Sequence, residues 1–299
     1  MPGSALPSLR PADLEGDLPT LNELMAASQA VDGLHPPGEH QQLSWAVEED
    51  LEAQVLVLEE DDVAVGYAAL ISTPEPGVWN LELGLRREWH RSAEWGPLLQ
   101  AAVREVGNRG GKAARLWPHL PEMVAAAQAL GFVEERRLLM LRRSLDNLER
   151  AVIPEGVSIE HFFAGEDEVD LARVTTQAFA GTAEQWIWTP PVLAARQRMT
   201  WFDPADLITA CDRRGLLGFC WVKWNGPDRG EIYLLAVQPQ WQGRGLGRGL
   251  ALSGLQRMVE KGAEEAFLYV DDTNQRAITL YQSLNFGLDH VDVALLKRW

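Results

Sequence analysis

Glycines occupy alternate positions 243, 245, 247 and 249, with Arg244 and Arg248 among them. The β-patterned run EIYLLAV (231–237) precedes them, and a helix-patterned run follows. A strand feeding a glycine-dense turn at a helix N-terminus makes an anion site. Backbone N–H groups point outward, the helix dipole adds positive potential, and no side chain blocks a phosphate. Two nucleotide motifs fail on spacing. Counting G-x-G-x-x-G from Gly243 puts Arg248 in the last place, and no lysine follows for a Walker loop. The stretch does contain Gln242-x-x-Gly245-x-Gly247. Further on stands Asn274-x-x-Ala277-x-x-x-Tyr281, followed by Leu284, Asn285 and Phe286.

The elements that must position these residues recur along the chain. With 299 residues and 46% hydrophobic content, the chain has material for two ordinary domains. Strand patterns cover 53–60, 63–71, 78–85, 113–117 and 132–142, with helices near 94–108 and 120–130. The order repeats after a polar segment: strand GVSIEHF, helix EVDLARVTTQAF, strands DLITAC, GLLGFCWVKW and EIYLLAV, helix GRGLALSGLQRMVEKG, strand AFLYV, helix NQRAITLYQSL and a last strand DHVDVALLKRW. Sliding the halves by 152 puts Trp89 on Trp241 and Leu85 on Val237, and a two-residue insertion then brings AQALGF (127–132) onto YQSLNF (281–286). The expected fold is α/β with a mixed sheet in each of two tandem domains, 1–145 and 157–299, joined by a linker at 146–156. In the first half Ala93, Glu94 and Trp95 stand where Gly245, Leu246 and Gly247 stand in the second, Ala127 stands for Tyr281, and Trp79 for Glu231. The chemistry is therefore expected in the second half, with the first as scaffold and substrate wall.

Composition excludes other classes. A formal net charge of −16 argues against a nucleic-acid backbone or an anionic membrane as partner. No apolar run reaches membrane-spanning length, the N-terminal residues lack a secretory pattern, and Cys211 and Cys220 read as buried reduced thiols of a cytoplasmic protein. The six histidines show no metal-ligand spacing and no G-x-S-x-G elbow occurs, so neither a metal nor a serine nucleophile is expected.

The two glycine- and asparagine-centred motifs, in this order, resemble the GCN5-related N-acetyltransferases (GNAT), which bind acetyl-CoA. The resemblance implies that Leu235, Ala236 and Val237, then Gln242, Gly243, Arg244, Gly245, Leu246, Gly247 and Arg248, then Asn274, Gln275, Arg276, Ala277, Ile278 and Thr279 contact acetyl-CoA. VDGLHPPGE (31–39), AFAGTAEQ (178–185), WFDPADLI (201–208), WVK (221–223), GEIYLLAV (230–237) and LYVDDTN (268–274) are similar to the tandem actinobacterial branch that forms mycothiol. That branch acetylates the cysteinyl amine of a cysteinyl-glucosaminyl-inositol. The likeness implies substrate contacts from Glu39, Glu184, Lys223, Glu231 and Tyr269, with Glu231 as base and Tyr281 as acid. It departs at 86–96, where the branch often keeps a second glycine loop. On pattern alone Tyr281 suits a buried helix face, and Glu231, Lys223 and Glu184 suit solvated surface. Trp186 and Trp188 are candidates to line the cleft. A monomer acting on a small-molecule amine, the thiol pseudo-disaccharide, is expected. Another amine (an aminoglycoside, polyamine or protein N-terminus), a non-catalytic acetyl-CoA-binding regulator, and a second acetyl-CoA in the first half remain open.

Overall fold

Runs of β-branched and apolar residues bounded by turns become strands wherever one or both faces can be covered. The computed structural model describes residues 8–13, 16–17, 19–25, 52–73, 75–89, 92–182, 184, 188, 190–199, 201–226 and 228–299. They divide into two compact units that are not consecutive in sequence: 1–137 with 292–299, and 138–291.

The first unit holds β1 (Ser8–Pro11), β2 (Ala53–Glu60), β3 (Val63–Ser72), β4 (Val78–Leu85) and β5 (Ala113–Leu116). The hairpin between β2 and β3 turns at Asp61 and Asp62, both with positive φ, as a tight two-residue turn requires. β1 to β4 pair antiparallel in chain order and β4 pairs parallel with β5. Helix α1 (Ser92–Asn108) buries Trp95, Leu98, Leu99, Ala102 and Val106 against Trp79, Leu81, Leu83 and Leu85, and α2 (Pro121–Ala129) adds Met123, Ala126 and Ala127. Helical residues 19–25 cover the other face through Leu21 and Leu24.

Strand β6 (Val133–Ser144) delivers residues 138–144 to the second unit, where they pair antiparallel with residues 265–271. The rest of that unit is β7 (Ser158–His161), β8 (Leu207–Asp212), β9 (Gly215–Trp224), β10 (Arg229–Val237) and β11 (Glu265–Asp271). The antiparallel pairs run β7–β8–β9–β10, and β10 pairs parallel with β11. Helices α3 (Glu168–Phe179) and α4 (Pro190–Gln197) cover one face; α5 (Leu246–Glu260) and α6 (Gln275–Ser283) cover the other. Strand β9 is consequently buried along almost its whole length. The last strand, β12 (Gly287–Arg298), supplies residues 292–298 to the first unit, pairing Leu295 with Leu116 and burying Leu295 and Leu296. No helix among the described residues is long and apolar enough to cross a membrane.

The repeat survives in backbone detail. Gly131 after α2 and Asn285 after α6 both take positive φ, and in each case the following phenylalanine N–H closes on the helix, Phe132 on Ala127 and Phe286 on Tyr281.

Candidate active site

The site begins with an irregularity in β10. Its register against β9 shifts between Ile232 and Leu234, so Tyr233 is the extra residue of a β-bulge. The bulge puts Tyr233 and Leu234 on one face, packed towards α3 and α4, while Ile232 and Leu235 face α5 and α6. The parallel ladder to β11 covers Arg229 to Glu231 and ends at Glu231↔Phe267, although β10 continues to Val237 beside β9. Beyond Glu231 the two central strands therefore part, and the β11-facing edge of residues 232–237 opens where a bound chain could take the place of strand pairing.

The glycine turn follows directly. Gly243 and Gly245 take φ of 75° and 86°, conformations costly for any residue with a Cβ, although a Cβ on either would meet nothing within 4 Å. The requirement for glycine here is conformational. Gly245 is the N-cap of α5 and supplies no side-chain cap; the first helical bond runs from the Gly249 N–H to the Gly245 carbonyl. The N–H groups of Leu246, Gly247 and Arg248 thus precede the helical ladder at the positive end of a 15-residue helix. Gln242 ties the turn together: its Nε2 donates to the Val237 carbonyl at 3.0 Å, and its Oε1 accepts from Arg276 of α6. The Arg244 guanidinium lies 5.4 Å from the Trp241 ring, and Arg248 donates to Ser283 and to Glu149. Asn274 caps α6 by accepting from the Ala277 N–H at 3.1 Å, which fixes the first turn containing Gln275 to Thr279.

On the α3/α4 face, Glu231 of β10 sits opposite Lys223 of β9, with Lys223 Nζ 4.0 Å from Glu231 Oε2. Both side chains are mostly buried, at 12% and 8% exposure, so neither is the solvated surface charge that pattern alone allows. The Lys223 ammonium also lies 5.3 Å from the Trp201 ring and 5.7 Å from the Tyr233 ring, aromatic faces that partly replace its lost water. Trp188 packs edge-on against Tyr233 at 5.3 Å. Asn225, just beyond β9, donates from Nδ2 to Glu231 Oε2 at 2.8 Å. Tyr269 of β11 contacts Phe267 and His290 edge-on.

Tyr281 lies on the opposite face in the α5/α6 core, 7% exposed and edge-on to Phe286 at 5.7 Å. Burial first, then the charges of Cys220 and Glu184, hold its phenol well above the usual value. Glu184 is half-buried, and its backbone N–H donates to the Thr182 hydroxyl at 3.2 Å. Cys220 is fully buried and its thiol is pushed up to about 12 by burial. Cys211 departs from the expected pair of buried thiols: it is half-buried beyond a register shift in β8, and its thiol is raised to about 11 by burial and by Glu160. Neither is poised as a nucleophile at neutral pH. Glu39 and Trp186 lie outside the described residues. Among the described residues no cluster of three or more His, Cys, Asp or Glu could hold a metal ion.

The same places in the first unit are chemically different. Ala93 lies within α1, whose Trp95 is fully buried in the core. Helix thus replaces the glycine turn at this position. Strand register also corrects the sequence alignment at Glu231. Glu231 pairs with Lys223, whereas in the first unit Ile71, which aligns with Lys223, pairs with Asn80 and not with Trp79. The β4 pairing with β3 has no register shift, so residues upstream of the Tyr233 bulge are offset by one. The residues that sequence reasoning missed are Asn225, Trp201 and Tyr233. Only the bulge shows Tyr233 turned towards Lys223, and nothing in the spacing marks Asn225.

Comparison with known proteins agrees with this geometry. Residues 175–286 match the Acetyltransferase (GNAT) family. The mycothiol acetyltransferase of Nocardia farcinica is 36% identical over 286 residues, covering 92% of each chain. That of Thermomonospora curvata is 37% identical over 286 residues, covering 92% of this chain and 93% of its own. Among solved structures, a tandem GNAT protein from the clavulanic acid biosynthesis pathway aligns with a TM-score of 0.77 at 14% identity, covering 98% of both chains. A GCN5-related N-acetyltransferase from Sphaerobacter thermophilus aligns with a TM-score of 0.69 at 20% identity, covering 98% of this chain and 95% of its own. These two show a shared fold. With the uncapped glycine turn and the parted strands, the full-length relatives establish that the chain belongs to the mycothiol acetyltransferase family and is an acetyl-CoA-dependent acetyltransferase of tandem GNAT fold.

Proposed function

We propose that the second unit transfers acetyl from acetyl-CoA to the cysteinyl amine of cysteinyl-glucosaminyl-inositol, in the last step of mycothiol formation. The observation that carries this reading is the convergence of three features on one strand: the uncapped glycine turn after β10, the parting of β10 from β11 beyond Glu231, and the buried Glu231–Lys223 pair at the parting point. The pyrophosphate of acetyl-CoA would take the N–H groups at 246–248. The pantetheine arm would run along the open edge of Leu235 to Val237 towards Asn274. The thioester would then reach the bulge, where strand N–H groups polarise its carbonyl.

The acceptor amine has an intrinsic pKa near ~7.7–8.0, so a carboxylate base needs to supply little driving force at neutral pH. Glu231 takes the ammonium proton, directly or through a water. The amine attacks the thioester carbonyl carbon and the C–S bond breaks as the sulfur takes the Tyr281 proton; the second proton of the nitrogen, lost through water as the amide forms, restores the Tyr281 phenol, and Glu231 releases the first proton to solvent. Burial keeps the Tyr281 phenol neutral, the form in which its O–H donates to the departing sulfur. Glu39, Glu184, Lys223 and Tyr269 would hold the pseudo-disaccharide, whose hydroxyls suit carboxylate acceptors. The first unit lacks the glycine turn and carries helix at Ala93 in its place. A polycationic acceptor is disfavoured by the buried ammonium of Lys223.

The test is acetyl transfer with the cysteinyl-glucosaminyl-inositol acceptor beside a panel of polyamines and aminoglycosides, followed by CoA release. Strong preference for the pseudo-disaccharide supports the reading. Turnover with the polycations alone would overturn the acceptor while leaving the acetyl-CoA site intact.

A further inference from the structure

We infer that Asn225 is a positioning residue for the Glu231 carboxylate, holding it in register with the parted strands. The inference rests on the reading of Glu231 as base and adds a residue to it. Asn225 is the first residue after β9, and its backbone N–H donates to the Arg229 carbonyl at 3.1 Å, which closes the hairpin into β10. Its side chain is therefore delivered from a fixed backbone point, and Nδ2 meets Glu231 Oε2 at 2.8 Å, a good hydrogen-bond length.

The nearby cation makes a different contact with the same oxygen. Lys223 Nζ is 4.0 Å from Oε2, an ion-pair distance beyond hydrogen bonding, and its charge is shared with the Trp201 and Tyr233 rings. Lys223 and Phe267 are the cross-strand neighbours of Glu231 on β9 and β11. The neutral amide thus fixes where Oε2 points, and the ammonium supplies field without seizing the carboxylate. A base hydrogen-bonded directly by an ammonium would lose more basicity than one held by a neutral amide.

Asn225→Asp tests this with almost no change in volume, replacing a donor by a second carboxylate. Two carboxylates at hydrogen-bond distance resist joint ionisation. The acid limb of the kcat/KM profile is therefore expected to move up by roughly one pH unit or more, with kcat down roughly 10–100-fold. The KM for acetyl-CoA should not change. Asn225→Ala should lower kcat with a smaller upward move of the limb. In the unsubstituted protein, the Asn225 side-chain amide resonances should titrate together with the acid limb, a readout that needs no variant. An unchanged acid limb in folded Asn225→Asp, or amide resonances that do not follow that ionisation, would overturn the inference. Glu231→Gln separates the two readings. Loss of the acid limb there with no effect of Asn225→Asp rejects Asn225 alone; retention of the limb in Glu231→Gln rejects Glu231 as base.

Discussion

Glu82→Gln should remove a pH dependence built into the first unit. Glu82 lies on β4 two residues beyond Asn80, paired with Ala69, where the second unit carries Leu234 opposite Trp221. Its Oε1 accepts from the Tyr67 hydroxyl at 2.7 Å, while Oε2 is buried without a hydrogen-bond partner. Burial pushes the carboxyl from its ordinary 4.5 to about 7, against the opposing pull of the Tyr67 hydrogen bond. The fold therefore favours the protonated acid. That contribution is whole below pH 4.5, where both folded and unfolded chains are protonated, and is lost as pH rises through about 7. At about 1.4 kcal/mol per pH unit, the interval corresponds to about 3 kcal/mol lost by pH 8. For a cooperative unit of this size that is on the order of 10 °C in melting temperature. Gln keeps an oxygen for Tyr67, whose own phenol is raised well above its usual value and so stays a donor throughout. Calorimetry of both proteins between pH 5 and pH 8 should show the unsubstituted chain losing roughly that much relative to the variant. Parallel pH curves would refute a buried acid at this position.

Gly245→Ala should keep the fold, since a Cβ meets nothing within 4 Å, yet cost roughly 1–2 kcal/mol of local strain at φ 86°, read as weaker acetyl-CoA binding in a titration. Tyr281→Phe should slow turnover in steady-state kinetics with little change in acetyl-CoA affinity; a large affinity loss would make it a binding residue instead. Deleting residues 292–299 removes the partner of β5 and the buried Leu295 and Leu296, so hydrogen exchange should show loss of protection in the first unit before the second.

Much of this was legible in the sequence because local pattern and tertiary burial agree. EVDLARVTTQAF forms a helix over its full span, Glu168–Phe179, and the apolar GLLGFCWVKW run forms the buried strand Gly215–Trp224. The glycine turn was legible because positive φ leaves a compositional mark. Three features were not. The last strand of the repeat in each half reads as belonging to its own half, yet residues 138–144 and 292–298 each complete the other unit's sheet. Strand pattern records which face is buried, not which partner buries it. The bulge at Tyr233 adds one residue without altering the hydrophobic run, so a linear slide places Trp79 where register places Asn80. Asn225 sits in a polar turn whose composition, Trp-Asn-Gly-Pro-Asp, signals the turn and conceals the hydrogen bond.

The chain is proposed to have one acetyl-CoA site, made by the glycine turn of the second unit. Isothermal titration of acetyl-CoA into the protein and into Gly247→Trp, which copies the first unit's Trp95, tests it most directly. One molecule should bind per chain and none to the variant, with the variant's melting profile otherwise preserved. Two molecules per chain, or undiminished binding by Gly247→Trp, would contradict it.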